Sequence, residues 1–196
     1  MSISAIILAA GQSKRMGQPK MLLPWENTTV LGKVIETIQH AEVEDILVVT
    51  GGARSEVEKL VAQYGSPLRV VHNENFEHEE MLASIQLGLQ GQKPKAQAAL
   101  ICLGDQPQVE EGSVRIVCEA FRKNGSSIIV PSYQMRRGHP WLIAKELWGE
   151  VLQMTPPGSM RDFLNNHKND ILYMDVNTPS ILQDLDTPED YLKFKP

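Results

Sequence analysis

The sequence predicts an α/β protein: a three-layer α/β/α sandwich on a mostly parallel central sheet. Three observations carry this reading. First, several apolar runs are continuous rather than alternating, with Ile3–Ala9, Asp45–Thr50 and Ala98–Gly104 the clearest; strands buried on both faces read this way. Second, segments of helical period lie between these runs, and strands that alternate with helices give a parallel sheet covered on both sides. Third, the chain is 42% apolar and 22% charged over 196 residues, ordinary values for a globular protein with one core. One domain over residues 1–196 is therefore expected.

The elements follow in order. Ile3–Ala9 is the first strand. Asn27-Thr28-Thr29 offers a helix N-cap, and Val30, Leu31, Val34, Ile35 and Ile38 then recur at helical spacing, closing near Ala41. Asp45–Thr50 is the second strand, ended by Gly51-Gly52. Ser55 with Glu58 predicts a capping box for a helix reaching about Tyr64. Leu68–His72 is the third strand and Ala98–Gly104 the most apolar one. Val109–Phe121 reads as a helix, Ser126–Pro131 as a strand and Ile171–Val176 as a late strand. Thr187 can cap a final helix, with Pro188 at its first position and Asp190 at its third.

Charge and cysteine content exclude several classes. A formal charge of −5 argues against general nucleic-acid or membrane-surface binding, so any anionic ligand must be held by a local cluster of cations. Cys102 and Cys118 have no C-x-x-C spacing and are too few for a disulfide framework, which points to a reducing cytoplasm. Residues 1–10 lack a basic stretch ahead of an apolar one, so no signal peptide is expected. No apolar run approaches the ~20 residues of a membrane helix.

The chemistry begins where the first strand ends. Leu8-Ala9-Ala10-Gly11-Gln12-Ser13 opens a loop that continues through Lys14, Arg15, Gly17 and Lys20. Small residues let backbone N–H groups approach a ligand closely. Donors and cations directly after a buried strand suit a polyphosphate, and α/β sheets gather ligands at the carboxyl ends of their strands. The loop is not a Walker A motif, because five residues separate Gly11 from Gly17 and Gln18 follows. It is not a G-x-G-x-x-G fingerprint either. His78-Glu79 fails as H-E-x-x-H because position 82 is Leu82.

The stretch from Leu8 to Lys20 resembles the signature L-A-[AG]-G-x-[SG]-x-R-M-G-x-x-K of nucleotidyltransferases with the nucleotide-diphospho-sugar transferase, Rossmann-like fold. Ala10, where related guanylyltransferases usually carry glycine, is similar to the molybdenum cofactor cytidylyltransferases of the MobA-like group. The resemblance extends along nearly the whole chain. It implies that Leu8, Ala9, Ala10, Gly11, Gln12, Ser13 and Lys20 bind the nucleotide, and that Arg15, Lys20 and Asp105 are catalytic. Met81-Leu82-Ala83-Ser84 resembles the helix that contacts base and ribose, although Glu80 stands where relatives often have glycine. Ser84 is either that contact or a hydroxyl bonded to its own helix.

Gly104-Asp105-Gln106-Pro107 resembles the family's metal motif. A carboxylate at the tip of a buried strand also calls for a cation to offset its desolvation, and Mg²⁺ takes one or two carboxylates plus substrate phosphates. Asp184-Leu185-Asp186-Thr187-Pro188-Glu189-Asp190 resembles the family segment that places an Asp near the metal. Asp186 is the first choice and Asp184 the second. Arg137-Gly138-His139-Pro140 resembles the R-G-H-P segment over the second substrate, where Arg136 and Arg137 could pair with a phosphate and His139 could bond a phosphate or a ring, or be structural. Pro156–Arg161 resembles a G-D-x-G-A-R turn without its acid and second glycine. Arg161 then either faces the second substrate or lies on a helix surface.

The reaction this resemblance implies is transfer of CMP from CTP to the terminal phosphate of the molybdopterin cofactor, with Mg²⁺ as cofactor and pyrophosphate released. A molybdenum hydroxylase is the implied recipient; no nucleic acid or membrane partner is expected. Two alternatives stand beside it. One is a transferase of the same fold using GTP or another acceptor. The other is a non-catalytic accessory protein that binds the cofactor for a molybdenum hydroxylase.

Overall fold

A computed structural model of the chain describes residues 1–65, 67–77 and 81–196. The chain opens with β1 (Ile3–Ala9), every residue of which is buried. After the loop comes a small hairpin of β2 (Pro24–Trp25) and β3 (Thr28–Thr29), then α1 (Val30–His40). Thr29 caps α1 by accepting the Gly32 N–H at 3.0 Å, as its position before the periodic run predicts. β4 (Asp45–Thr50), α2 (Arg54–Ala62), β5 (Arg69–His72), α3 (Met81–Gln90) and β6 (Ala98–Leu103) complete the first half.

The second half runs α4 (Glu111–Asn124), β7 (Ile128–Tyr133), β8 (Arg136–Arg137), β9 (Trp141–Ala144), α5 (Trp148–Gln153), α6 (Met160–Asn166), β10 (Ile171–Asp175) and α7 (Pro188–Phe194). α7 starts on the expected signal: Thr187 and Asp190 form a capping box with Pro188 in the first turn.

The sheet order is β10-β7-β9-β6-β1-β4-β5, with β8 attached to β7. β1 pairs in parallel with β4 on one side and β6 on the other, Ile6 lying beside Leu47 and Ile101. β9, set between β6 and β7, runs antiparallel to both, and β8 pairs antiparallel with β7. The two faces of β1 sort the core. Ile3, Ala5, Ile7 and Ala9 meet α1, α2 and α4. Ile6 and Leu8 meet α3, α5 and α6. Each fully buried aliphatic side chain contributes roughly 1.5–3 kcal/mol relative to exposure, so a strand apolar on both faces is fixed in register and depth. The chain winds from β1 outward to β4 and β5, then returns to place β6 on the other flank of β1. That reversal leaves a crevice at the carboxyl ends of β1 and β6, where α/β sheets take ligands.

Several boundaries depart from the sequence reading. The Ser55–Glu58 capping box does not form. The cap lies two residues earlier, at Ala53, so that α2 starts at Arg54, and Glu58 accepts instead from Arg54 Nε at 2.8 Å. α4 begins at Glu111 rather than Val109 and runs on to Asn124, because Gly125 supplies the left-handed C-cap at φ 65°. β7 starts at Ile128, not Ser126, and continues past Pro131 to Tyr133. β5 starts at Arg69 rather than Leu68, and β6 ends at Leu103. β9, α5 and α6 have no counterpart in the sequence reading. His78, Glu79 and Glu80 lie outside the described residues.

Candidate active site

The loop after β1 is shaped by its own backbone. Ser13 adopts φ 52°, and its carbonyl accepts the N–H groups of Met16 and Gly17 at 3.0 and 3.1 Å. Gly17 turns through φ 72°, a conformation that suits glycine. The Ser13 hydroxyl then accepts the Lys20 N–H at 3.1 Å, closing the loop where the lysine begins. Met16 is buried in a small cluster with Leu23, Trp25, Val30 and Leu185, against Tyr191 and Phe194 of α7. The C-terminal segment therefore grips the loop from outside. Its chain is stitched to the β6 end as well, since Leu185 N–H donates to the Asp105 carbonyl at 3.1 Å.

These contacts bring five charged residues to one place. Lys20 is only 8% exposed, and its ammonium bonds Asp105 Oδ2 and lies 3.2 Å from Asp186 Oδ1. Burial works against that charge, but Asp105 and Asp186 more than offset it and hold the ammonium above the usual lysine value. Arg15, largely exposed, reaches Asp186 Oδ2 at 2.8 Å. Asp184 stands alongside and accepts from Gln106 Nε2 at 2.7 Å. Burial, together with the charges of Asp105 and Asp186, pushes its carboxyl above the usual range.

The acids fit a divalent cation in a particular way. One ammonium touches both Asp105 and Asp186, so a single cation position is within reach of both carboxylates. Among the described residues no group of three or more His, Cys, Asp or Glu is arranged to cage a metal. Two carboxylates without a protein cage match an ion that completes its shell with phosphate and water.

Two clefts flank this centre. The first is open to solvent, spans about 900 Å³ and is lined by Leu8, Ala10, Gly11, Lys20, Ser84 and the three aspartates 105, 184 and 186. Ala9 faces the opposite core layer and borders, with Gly11, Gln12 and Ser13, a hollow on the other side of the loop. Arg15 joins Gln12, Ser13 and Lys20 in a hollow bounded by Asp186. Ser84 is buried, and its hydroxyl accepts Asn73 Nδ2 at 3.1 Å, so its described partner is β5's exit rather than its own helix.

The second cleft, about 1530 Å³, gathers Arg136, Arg137, His139 and Arg161. It shares Met81, Leu103 and Asp184 with the first cleft. Arg137 is held in place: Nε donates to the Tyr173 hydroxyl at 2.8 Å and Nη1 to Asn165 at 3.1 Å. Arg161 sits in the first turn of α6, exposed, behind Ser159, which caps the helix in a box with Asp162. His139 stacks on Trp141 with ring centroids 4.0 Å apart. Burial pushes its imidazole down to about 4, so it presents a neutral ring near pH 7 and no cation for a phosphate.

Sequence reasoning missed Phe76, Gly51 and Trp141. Phe76 borders the first cleft and both loop hollows, and its carbonyl accepts from Gln12 Nε2. Gly51 packs against Ala10: a Cβ there would stand 2.2 Å from the Ala10 carbonyl oxygen. Only the Gly51-Gly52 pair itself signalled a close backbone approach. Trp141 directly follows the R-G-H-P segment but carries no motif of its own.

Comparison with known proteins bears on the family and the fold. Residues 5–171 match the model of the MobA-like NTP transferase domain. The molybdenum cofactor cytidylyltransferase of Escherichia coli is 28% identical over 194 residues, covering 99% of this chain and 96% of that protein. Rv0371c from Mycobacterium tuberculosis, solved in complex with manganese, superposes with a TM-score of 0.79 at 28% identity, covering 100% of this chain and 98% of that one. Nicotine blue oxidoreductase of Paenarthrobacter nicotinovorans is 26% identical over 201 residues, covering 95% and 93%.

Proposed function

The chain belongs to the MobA-like NTP transferase family, and from that premise we propose that it moves CMP from CTP to the terminal phosphate of the molybdopterin cofactor, releasing pyrophosphate. The observation that carries the reading is the meeting of two clefts at Asp184, Leu103 and Met81. One is lined by a small-residue loop, a lysine and aspartates; the other by three arginines and a neutral His–Trp pair. That is an arrangement for two anionic substrates joined at one phosphorus.

The reaction is charge management. The acceptor's terminal phosphate is already ionised near pH 7, so its oxygen needs no general base. It attacks the α-phosphorus in line, a P–O bond forms, and the bond to the β-phosphate bridging oxygen breaks as pyrophosphate leaves. Backbone amides of residues 10–13 hold the triphosphate. Arg15 and Lys20 stabilise charge on the bridging and leaving oxygens. Asp105 and Asp186 would hold Mg²⁺, which when bound would neutralise phosphate charge. Arg136, Arg137 and Arg161 hold the acceptor's phosphate. The E. coli relative's cytidylyl activity and the manganese in the mycobacterial neighbour support the nucleotide and the divalent ion. Buried Cys102 and Cys118, both free thiols, suit a cytoplasmic setting.

Ala10 supports the pyrimidine. Its methyl lines the first cleft, and one such group is worth ~1–3 kcal/mol of discrimination, the remainder coming from hydrogen bonds to the base edge. The test is kcat/KM for CTP and for GTP with purified molybdopterin cofactor, following pyrophosphate. CTP is expected to win, and Ala10→Gly to relax the preference without reversing it. A clear GTP preference overturns the cytidylyl assignment. A second reading is favoured by the nicotine blue oxidoreductase relative, which spans 95% of this chain under a different activity. On that reading the same fold serves another acceptor, or binds a cofactor for a molybdenum hydroxylase without catalysis. Absence of pyrophosphate release with every triphosphate would select it.

A further inference from the structure

We infer that Lys20 is an internal counterion seated in the cation position, so that a divalent ion enters this site together with a triphosphate, which draws the lysine off the carboxylates. The inference rests on the proposed metal role of Asp105 and Asp186 and adds a coupling to it.

The geometry is specific. Lys20 is 8% exposed, with its ammonium on Asp105 Oδ2 and Asp186 Oδ1 at once. Those are the oxygens that a bridging cation needs. Arg15 covers the other oxygen of Asp186 at 2.8 Å. Lys20, Asp105 and Asp186 all line the same cleft, so the lysine is not a distant structural pair but part of the ligand-facing wall. Its backbone is pinned by Ser13 Oγ at 3.1 Å. The flexible four-carbon stem can still swing toward the loop that holds the phosphates.

Charge sets the order in which ions can enter. Lys20 pairs with Asp105 and Asp186 and Arg15 with Asp186, while Asp184, bonded to Gln106, lines the same cleft. A divalent ion added alone must either displace the buried ammonium or sit beside it, and like charges at such distances repel strongly in a partly dry site. A triphosphate changes both terms. It offers Lys20 new anionic partners and supplies the remaining ligands that the ion requires. Nucleotide and metal then strengthen each other's binding by the same factor, because linkage is reciprocal. The expected signs are unusual: removing a lysine that grips the triphosphate should tighten binding of the bare ion.

The experiment titrates Mn²⁺ by electron paramagnetic resonance and calorimetry, with and without a non-hydrolysable α,β-methylene CTP. Wild type, Lys20→Gln, Lys20→Met and Lys20→Arg are compared. Lys20→Gln and Lys20→Met should bind Mn²⁺ alone roughly tenfold or more tightly than wild type, the scale of a modest coupling between sites. Mn²⁺ should raise their melting temperatures more than it raises that of wild type. Lys20→Arg, which keeps the charge, should show no gain. Bare Mn²⁺ affinity in Lys20→Gln and Lys20→Met equal to or below that of wild type overturns the inference. Asp105→Asn separates the two claims. If it leaves Mn²⁺ binding in the presence of the analogue unchanged, the metal assignment itself fails. If it abolishes that binding while the neutral variants show no gain, only the counterion role falls.

Discussion

Gly51→Ala tests whether the nucleotide loop rests on the end of β4. The added Cβ would stand 2.2 Å from the Ala10 carbonyl oxygen and 2.8 Å from its carbonyl carbon and Cα. All three are backbone atoms, so no side chain can swing aside. An ordinary C···O approach is roughly 3.3 Å, so the loop and the strand end must part by about 1 Å. The backbone at Gly51 is not left-handed, so the penalty is contact and not conformation. Separation strains the last rung of the β1–β4 ladder, where Ala9 pairs with Thr50. Overpacking of this kind costs ~1–3 kcal/mol. A ~1 Å misplacement of the groups around the triphosphate costs about 100-fold in rate. Urea unfolding, CTP calorimetry and kcat/KM read the three effects. Gly149→Ala is the control, because its Cβ meets nothing within 4 Å on α5; it should gain about 0.5–1 kcal/mol of stability at unchanged kcat/KM. A Gly51→Ala protein with wild-type stability and CTP affinity would refute the claim that this glycine supports the loop.

Two further outcomes are expected. Asp105→Asn should lower turnover by roughly 10²–10³-fold with the fold retained by circular dichroism, since Lys20 keeps Asp186 as a partner; near-normal activity would remove Asp105 as the principal metal ligand. The histidines should shape stability in opposite pH windows. His139, pushed down to about 4 by burial, contributes stability that is full above its unfolded value of about 6.5 and is lost as pH falls toward 4. His167 is raised, first by its bond to Glu150 and then by Asp170, so its contribution is full below about 6.5 and is lost as pH rises through its folded value. Urea midpoints followed between about pH 4.5 and 8.5 should lose the acid-side slope in His139→Asn and the upper slope in His167→Asn; slopes unchanged from wild type would contradict the assignments.

What the sequence reveals about this fold depends on element length and burial. Ile3–Ala9 and Ala98–Leu103 are legible because strands apolar on both faces admit few other readings. Trp141–Ala144 is not, because four residues after Pro140 give too short a pattern to separate strand from loop, and only pairing with β6 and β7 makes them a strand. α5 and α6, six and seven residues long, show too few turns for periodicity to register. In the site, the loop residues, Asp105 and the Asp184–Asp186 pair were legible as motifs. Their mutual arrangement was not. No spacing rule says that Lys20 bonds two acids distant from it in the chain, or that Arg137 is tied to Tyr173 and Asn165. Ser55 with Glu58 shows the reverse failure: a good local signal lost to a helix whose cap lies two residues earlier.

The site is assembled by two pieces of packing. The loop and Asp105 come together because β1 and β6 are neighbours in the main sheet, whose register is fixed by core burial. Asp186 arrives differently. It is carried on a C-terminal segment that is joined to the rest by Leu185, Tyr191 and Phe194 packing on Met16, Leu23, Trp25 and Val30. The Tyr191 hydroxyl also donates to the Pro24 carbonyl. This cluster has five buried members, against the much larger clusters on either face of the sheet. Met16 belongs both to the nucleotide loop and to this cluster. Leu185, packed in this cluster, also donates its N–H to the Asp105 carbonyl, so the segment touches the loop, Asp105 and Asp186 alike. The two carboxylates proposed for one ion thus come from two separate stretches of the chain, and Lys20 bonds both.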